Sequence, residues 1–154
     1  MESVWQYPKP PVVVPCTRRV CVEVAEVIVA ESSGALRVLE TAHPPTIYVP
    51  PQDVRLDLLV PTGGRGFEDE HKGKAAYLDI VVGDERRKQA AWTYPAPLPG
   101  YEALTDYIGF YAGRVDAAWL DDELVMPQEG DLWGGWITRD LIGPFKGAPE
   151  TLGW

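Results

Sequence analysis

Hydrophobic and polar residues alternate along much of this chain with a period of two. Val20, Val22 and Val24 alternate with Arg19, Cys21 and Glu23, the pattern of a strand with one buried face. Val27–Ala30 continues the run after a turn at Ala25-Glu26, and Ser32-Ser33-Gly34 marks the next turn. Further strands are predicted over 35–40, 46–49 and 54–60. The last rests on Val54, Leu56, Leu58 and Val60 set against Arg55, Asp57 and Leu59. Residues 61–73 read as a polar loop. Over 74–82 the pattern puts Ala76, Leu78, Ile80 and Val82 toward the core, with Tyr77 and Asp79 facing away. Gly83-Asp84 is a hairpin turn into a strand over 86–94. Pro95, Pro97 and Pro99 then form a rigid connector, and residues 101–106 one helical turn. Strands at 107–111, 115–120 and 123–126 complete the set. Residues 1–17 and 127–154 show no periodicity. They are predicted to be irregular aromatic arms, the second lying against the body so that its three tryptophans are not left in water. The fold class that follows is mostly β, with two packed antiparallel sheets and no helix beyond about three turns.

Composition sharpens this picture. The 154 residues fit one domain, 45% of them are hydrophobic, and fifteen glycines and fifteen prolines favour short strands with tight connections. A net charge of -9 repels phosphate backbones and anionic membranes, so neither nucleic acid nor membrane is an expected partner. No apolar run is long enough to span a membrane and the N-terminus lacks the pattern of a signal peptide; a cytoplasmic protein is expected, as a monomer or homodimer. Cys16 and Cys21 are five apart on an extended segment, hence on opposite faces, and no CxxC pair is present. Neither a disulfide nor a zinc site is expected. No motif for a nucleotide, a catalytic serine or a metal occurs, so no cofactor is expected.

The chemistry concentrates in residues 37–51, where the pairs Pro44-Pro45 and Pro50-Pro51 bracket a short β-prone run. Proline fixes its own φ and pushes the preceding residue toward extended backbone, so this loop is stiff. It carries Arg37, Glu40, His43 and Tyr48. Glu40, leaving the apolar face of strand 35–40, is a candidate acid/base partner of His43; its competing role is to cap the turn. His43 is a candidate general base or a loop staple. Arg37 lies on the other face from Glu40 by strand parity. Both belong to the site only if a bulge re-aims one of them, and Glu40 is the one expected to stay. Tyr48 either offers its hydroxyl or packs. Lys72, before Gly73, either holds an anionic group or neutralises Glu68, Asp69 and Glu70.

Several clusters together resemble a known family. They are Glu2-Ser3-Val4-Trp5 with Tyr7-Pro8, the Arg37–Pro51 block, Lys72-Gly73-x-Ala75-x-Tyr77, and Ala91-Trp92-x-Tyr94-Pro95. Gly134-Gly135-Trp136-Ile137 and Gly143-Pro144-Phe145-Lys146-Gly147 complete them. The chain resembles, over residues 2–154, the uncharacterised family called domain of unknown function 427. The resemblance implies a β-tent topology, similar to that of small zinc-binding β proteins whose two CxxC pairs are absent here. In the family's pattern a cysteine often precedes the Lys-Gly pair by three residues, where this chain has Asp69. The family is sometimes labelled a nucleotidyltransferase domain, but the Gly-Ser and paired aspartates of such a site are missing.

Two functional readings follow. The first is a small-molecule binder or enzyme with an acid/base site in a cleft between sheets. Its catalytic candidates are His43, Glu40 and Lys72, and its ligand-binding candidates are Arg37, Tyr48, Tyr77 and Trp92. Aromatic walls with a few polar groups suit a small polar or heteroaromatic ligand. The second is an interaction module using the aromatic arms. The position of Trp5, Trp133 and Trp136 separates the two: packed round a pocket they favour the first, exposed as a patch the second. A nucleotidyltransferase is the weakest reading.

Overall fold

A computed structural model describes residues 1–64, 66–130 and 132–154. Arg65, in the expected polar loop, and Asp131, in the expected tail, lie outside the described residues. The strands in chain order are β1 (Glu2–Ser3), β2 (Val12–Pro15), β3 (Val20–Val24), β4 (Val27–Ser32), β5 (Leu36–Leu39) and β6 (Thr46–Val49). There follow β7 (Leu59–Pro61), β8 (Phe67–Asp69), β9 (Gly73–Val82), β10 (Glu85–Thr93) and β11 (Ile108–Phe110). The last are β12 (Ala117–Leu120), β13 (Glu123–Leu124), β14 (Met126–Pro127), β15 (Trp136–Ile137) and β16 (Leu141–Ile142). Among the described residues the only helices are single 3-10 turns, and no helix is long and apolar enough to cross a membrane.

An eight-stranded antiparallel sheet runs β2-β5-β6-β11-β10-β9-β7, with β8 also paired to β9. A four-stranded antiparallel sheet runs β13-β12-β3-β4. Alternation along the central strands gives the large sheet two different faces. Ile47, Val49, Ala91, Ile108 and Phe110 join Val20, Val22 and Val24 in the core between the sheets. Tyr48, Trp92 and Val38 point the other way, into a second, aromatic cluster with Tyr94, Tyr101, Leu104 and Tyr111. That second face is covered by the two ends of the chain.

The ends are therefore less irregular than their sequence predicts. β2 pairs with β5, β1 lies parallel to β16, and β14 pairs with β15. The expected strand over 54–60 is also corrected. Val54 makes only an isolated bridge to Ala30, and Leu56–Leu58 is a 3-10 turn within which Arg55 clasps Asp57 through two hydrogen bonds of 2.9 and 2.8 Å. Only Leu59–Pro61 pairs with β9, and Leu56 and Val60 are exposed. On β9, Leu78 and Ile80 reach the core as predicted, while Ala76 is exposed. Tyr77 and Asp79 do lie on the opposite face, but that face is covered too. Asp79 is buried, paired with Arg86, and accepts from the Gln89 N–H at 2.8 Å.

Candidate functional site

On the aromatic face lies a cavity of about 340 Å³. Its floor is Val38, Thr46, Tyr48, Trp92 and Tyr94 of the large sheet, and its side is the turn Asp69–Lys72. Its roof comes from the two ends of the chain: Trp5 and Lys9 on one, Gln128, Trp133, Gly134, Lys146 and Trp154 on the other. The cavity is thus not in a cleft between the sheets. Between the sheets, Phe110 and Trp136 pack with the aliphatic side chains of the core.

Trp92 is the fixed point of the floor. It stands opposite Gly109 on β11, and a Cβ on Gly109 would lie 2.5 Å from the indole. Gly134 leaves the same clearance from the arm. The indole thus sits against two glycines, with Tyr111 at 4.6 Å and Tyr48 at 5.8 Å between ring centroids. The Trp92 Nε1–H is buried and makes no hydrogen bond, although the Tyr48 phenol is near enough to sense the indole. A buried donor without a partner is costly, which makes it a mark of function when it lines a cavity. The His71 ring, also in the cavity wall, has its Nε2 3.2 Å from Glu70 Oε1.

His43 stands in a loop held from both ends of the chain. Ala42, at φ 72°, donates its N–H to Val4 O and accepts from the Lys146 N–H. Thr41 is tied to Pro8 O and Tyr7 O, and Pro45 O accepts from the Trp136 N–H at 2.8 Å. The left-handed backbone at Ala42 disfavours an L residue, so these bonds are what holds the loop in shape. The His43 Nδ1 lies 3.1 Å from the Gln128 amide Nε2. Burial, followed by the charges of Lys146, Lys72 and Lys9, lowers the His43 pKa to about 4. The ring is neutral at pH 7.

Lys72 is almost fully buried and its Nζ lies 3.0 Å from Asp69 Oδ2. Asp69 Oδ1 accepts the backbone N–H groups of His71 and Lys72, each at 2.9 Å. Burial alone would raise the Asp69 carboxyl; Lys72 and these bonds hold it below the ordinary carboxylate range. Lys146 projects over the Trp133 ring at 5.5 Å and donates to Trp154 O at 3.2 Å. Burial raises the phenols of Tyr48, Tyr94 and Tyr111, so all three are protonated donors at neutral pH.

Of the residues singled out in the sequence, Glu40, His43, Tyr48, Lys72 and Trp92 line this one cavity. Arg37 does not. It points to the other face of β5, pairs with Glu2 and the Tyr7 hydroxyl, and borders a separate cavity of about 220 Å³. Tyr77 lies behind the wall, its ring 5.2 Å from that of Phe67. The sequence does not single out Gln128, Lys146 or Lys9 as site residues, and it brings in Trp133 only as one of the tryptophans that could wall a pocket. Lys146 sits within the glycine- and proline-rich cluster at 143–147 and Trp133 beside Gly134-Gly135, so those clusters were the available signal. Gln128 gave none. Among the described residues, no three His, Cys, Asp or Glu side chains gather as a metal-binding group.

A search of curated proteins finds no match. A family model described as a domain of unknown function, DUF427, matches residues 12–121, which span both packed sheets, and the chain belongs to that family.

Proposed function

We propose that this protein binds a small molecule carrying hydrogen-bond acceptors, seated on Trp92 and closed over by the two arms. The observation that carries the reading is an aromatic cavity floored by Trp92, whose buried N–H meets no hydrogen-bond partner. A ligand acceptor there would remove a desolvation cost that the free protein bears. A volume of about 340 Å³ is at the small end of ligand sites. The wall carries Lys9, Lys72 and Lys146 against Glu40, Asp69 and Glu70, and Lys72 is paired with Asp69, so Lys9 and Lys146 are the cations placed to meet an acceptor with negative charge.

An acid/base step is the finer form of this reading. Glu40 borders the cavity, and its carboxylate has no hydrogen-bond or ion-pair partner among the described residues. That leaves its carboxylate free to meet a ligand, while neutral His43 is suited to hydrogen bonding. The aromatic arms give the interaction module less support: Trp136 is in the core and Trp133 lines the cavity. Trp5 and Trp154, with ring centroids 5.2 Å apart, form a half-exposed lip.

Native mass spectrometry of protein purified from its own host tests the reading. A bound small molecule is expected, and Trp92→Phe, which deletes the N–H, is expected to lose it while the far-ultraviolet spectrum is kept. Retention of the molecule by a folded Trp92→Phe variant would count against the Trp92 anchor. A chain that carries no small molecule, and gains no thermal stability from any member of a library of small organic acids, would overturn the reading.

A further inference from the structure

Gln128 is buried, and three contacts use its whole amide. Its Oε1 accepts the Gly135 N–H at 3.0 Å. Its Nε2 donates to Lys146 O at 2.7 Å and lies 3.1 Å from His43 Nδ1. Two of these partners are backbone groups, whose polarity cannot change. Turning the amide over would set Oε1 against a carbonyl oxygen and Nε2 against an N–H, so its orientation is fixed. One hydrogen of Nε2 goes to Lys146 O. The other is then directed at His43 Nδ1, which must meet it with a lone pair. A ring with its proton on Nδ1 would face donor to donor, and a flipped ring would bring a C–H to a buried N–H.

We propose that Gln128 is a positioning residue that holds His43 in the Nε2–H tautomer, so that the ring offers the cavity's ligand a neutral N–H donor. This rests on the ligand-binding reading above and gives it a polarity. His43 and Trp92 then share one character, an uncharged N–H donor in a fixed ring, and the matching group on the ligand is an acceptor such as a carboxylate or carbonyl oxygen. The backbone places Gln128 with equal care. A Cβ on Gly135 would fall 2.6 Å from Gln128 Oε1 and 2.7 Å from Pro44 O, so only glycine lets the amide and the His43 loop close on each other.

The test reads the tautomer directly, by nitrogen-15 NMR of the imidazole rings in the full chain without ligand. The chain has two histidines, and His71→Asn leaves His43 as the one signal. The expected spectrum at pH 7 shows a protonated Nε2 and an unprotonated Nδ1, with no exchange between tautomers. An Nδ1–H ring, or a mixture of tautomers, would overturn the proposal whatever any variant does. Gln128→Ala is expected to release the ring into a mixture. Gln128→Glu puts a carboxylate beside Nδ1, and should move the proton there and raise the His43 titration by roughly one to two pH units. A folded Gln128→Ala that keeps the single Nε2–H form would also overturn it. Since the spectrum needs no ligand, a single Nε2–H tautomer in a chain that never binds a small molecule would support the role of Gln128 and remove the binding reading alone.

Discussion

Lys72 and Asp69 face each other at 3.0 Å in the cavity wall, and the lysine is almost wholly out of water. Where the family's pattern often has a cysteine, this chain has a carboxylate, and the lysine three residues on is its counter-charge. Lys72→Met strands that carboxylate. The expected cost is about 2–3 kcal/mol, less than for a wholly buried pair because Asp69 keeps some contact with water. Urea unfolding at pH 7 measures it, and a variant as stable as the parent would show the pair to be weak. Replacing both partners with apolar residues, Asp69→Leu with Lys72→Met, should recover much of the loss.

His43 should make stability depend on pH in a defined window. Its folded pKa of about 4 lies below the ordinary value of 6.5. The unfolded chain therefore binds the proton first as pH falls. The neutral ring's contribution is complete above about pH 6.5 and is lost progressively between 6.5 and 4, by no more than about 3 kcal/mol. The groups that act on the ring are Lys146, Lys72, Lys9 and Asp69. Asp69, with its pKa lowered, contributes in the opposite sense of charge: its part is present above the ordinary carboxylate range and lost only as pH falls through its folded value. Thermal midpoints from pH 7.5 to 4.5 are expected to fall in the parent and to be flatter in His43→Gln. Equal slopes would mean that His43 does not carry the effect.

His43→Ala separates site from scaffold. The loop around it is held through the backbone of Ala42, Thr41 and Pro45, none of which the substitution touches. What it leaves is an unmet Gln128 N–H, a loss of about 1–2 kcal/mol. Ligand binding is expected to disappear while the protein stays folded. Unfolding of the variant at room temperature would assign the ring a structural role.

Gly134→Ala and Gly109→Ala should each disturb the indole they enclose. A methyl group at either position overlaps the ring of Trp92, and overpacking of this kind costs about 1–3 kcal/mol. Denaturant midpoints give the stability, and a shift in tryptophan fluorescence reports the displaced ring. Either variant at parental stability with unchanged emission would contradict the packing described here.

The central strands were legible because each is long enough to show a period. Val20, Val22 and Val24 are buried, and Ala25-Glu26, at φ 49° and 64°, forms the turn that the sequence marks between two valine runs. At 54–60 the same signal misled. Alternation of leucines with Arg55 and Asp57 does not distinguish a strand from a 3-10 turn fastened by those two charges. β1, β14, β15 and β16 are two residues each, too short for any period, and all four pair with partners that are remote in sequence or approached through irregular chain. The stiff loop and the Lys72-Gly73 pair point to four residues that share the cavity, Glu40, His43, Tyr48 and Lys72. Parity separated Arg37 from Glu40 without a bulge. Gln128 was invisible because its role lies in three contacts from distant segments, and a single glutamine in aperiodic chain announces none of them.

Because both ends of the chain meet over one face of the large sheet, the roof of the cavity and the span that marks the family are different stretches of polypeptide. The span that identifies the family, residues 12–121, contains the floor of the cavity but none of Trp5, Lys9, Gln128, Trp133, Lys146 or Trp154. A chain shortened to that span would lose β13 and the core residues Val125 and Trp136 together with the roof over Trp92 and Tyr48. Trp92 and His43 thus lie inside the segment by which the chain's ancestry is read, and the roof that closes over them lies outside it.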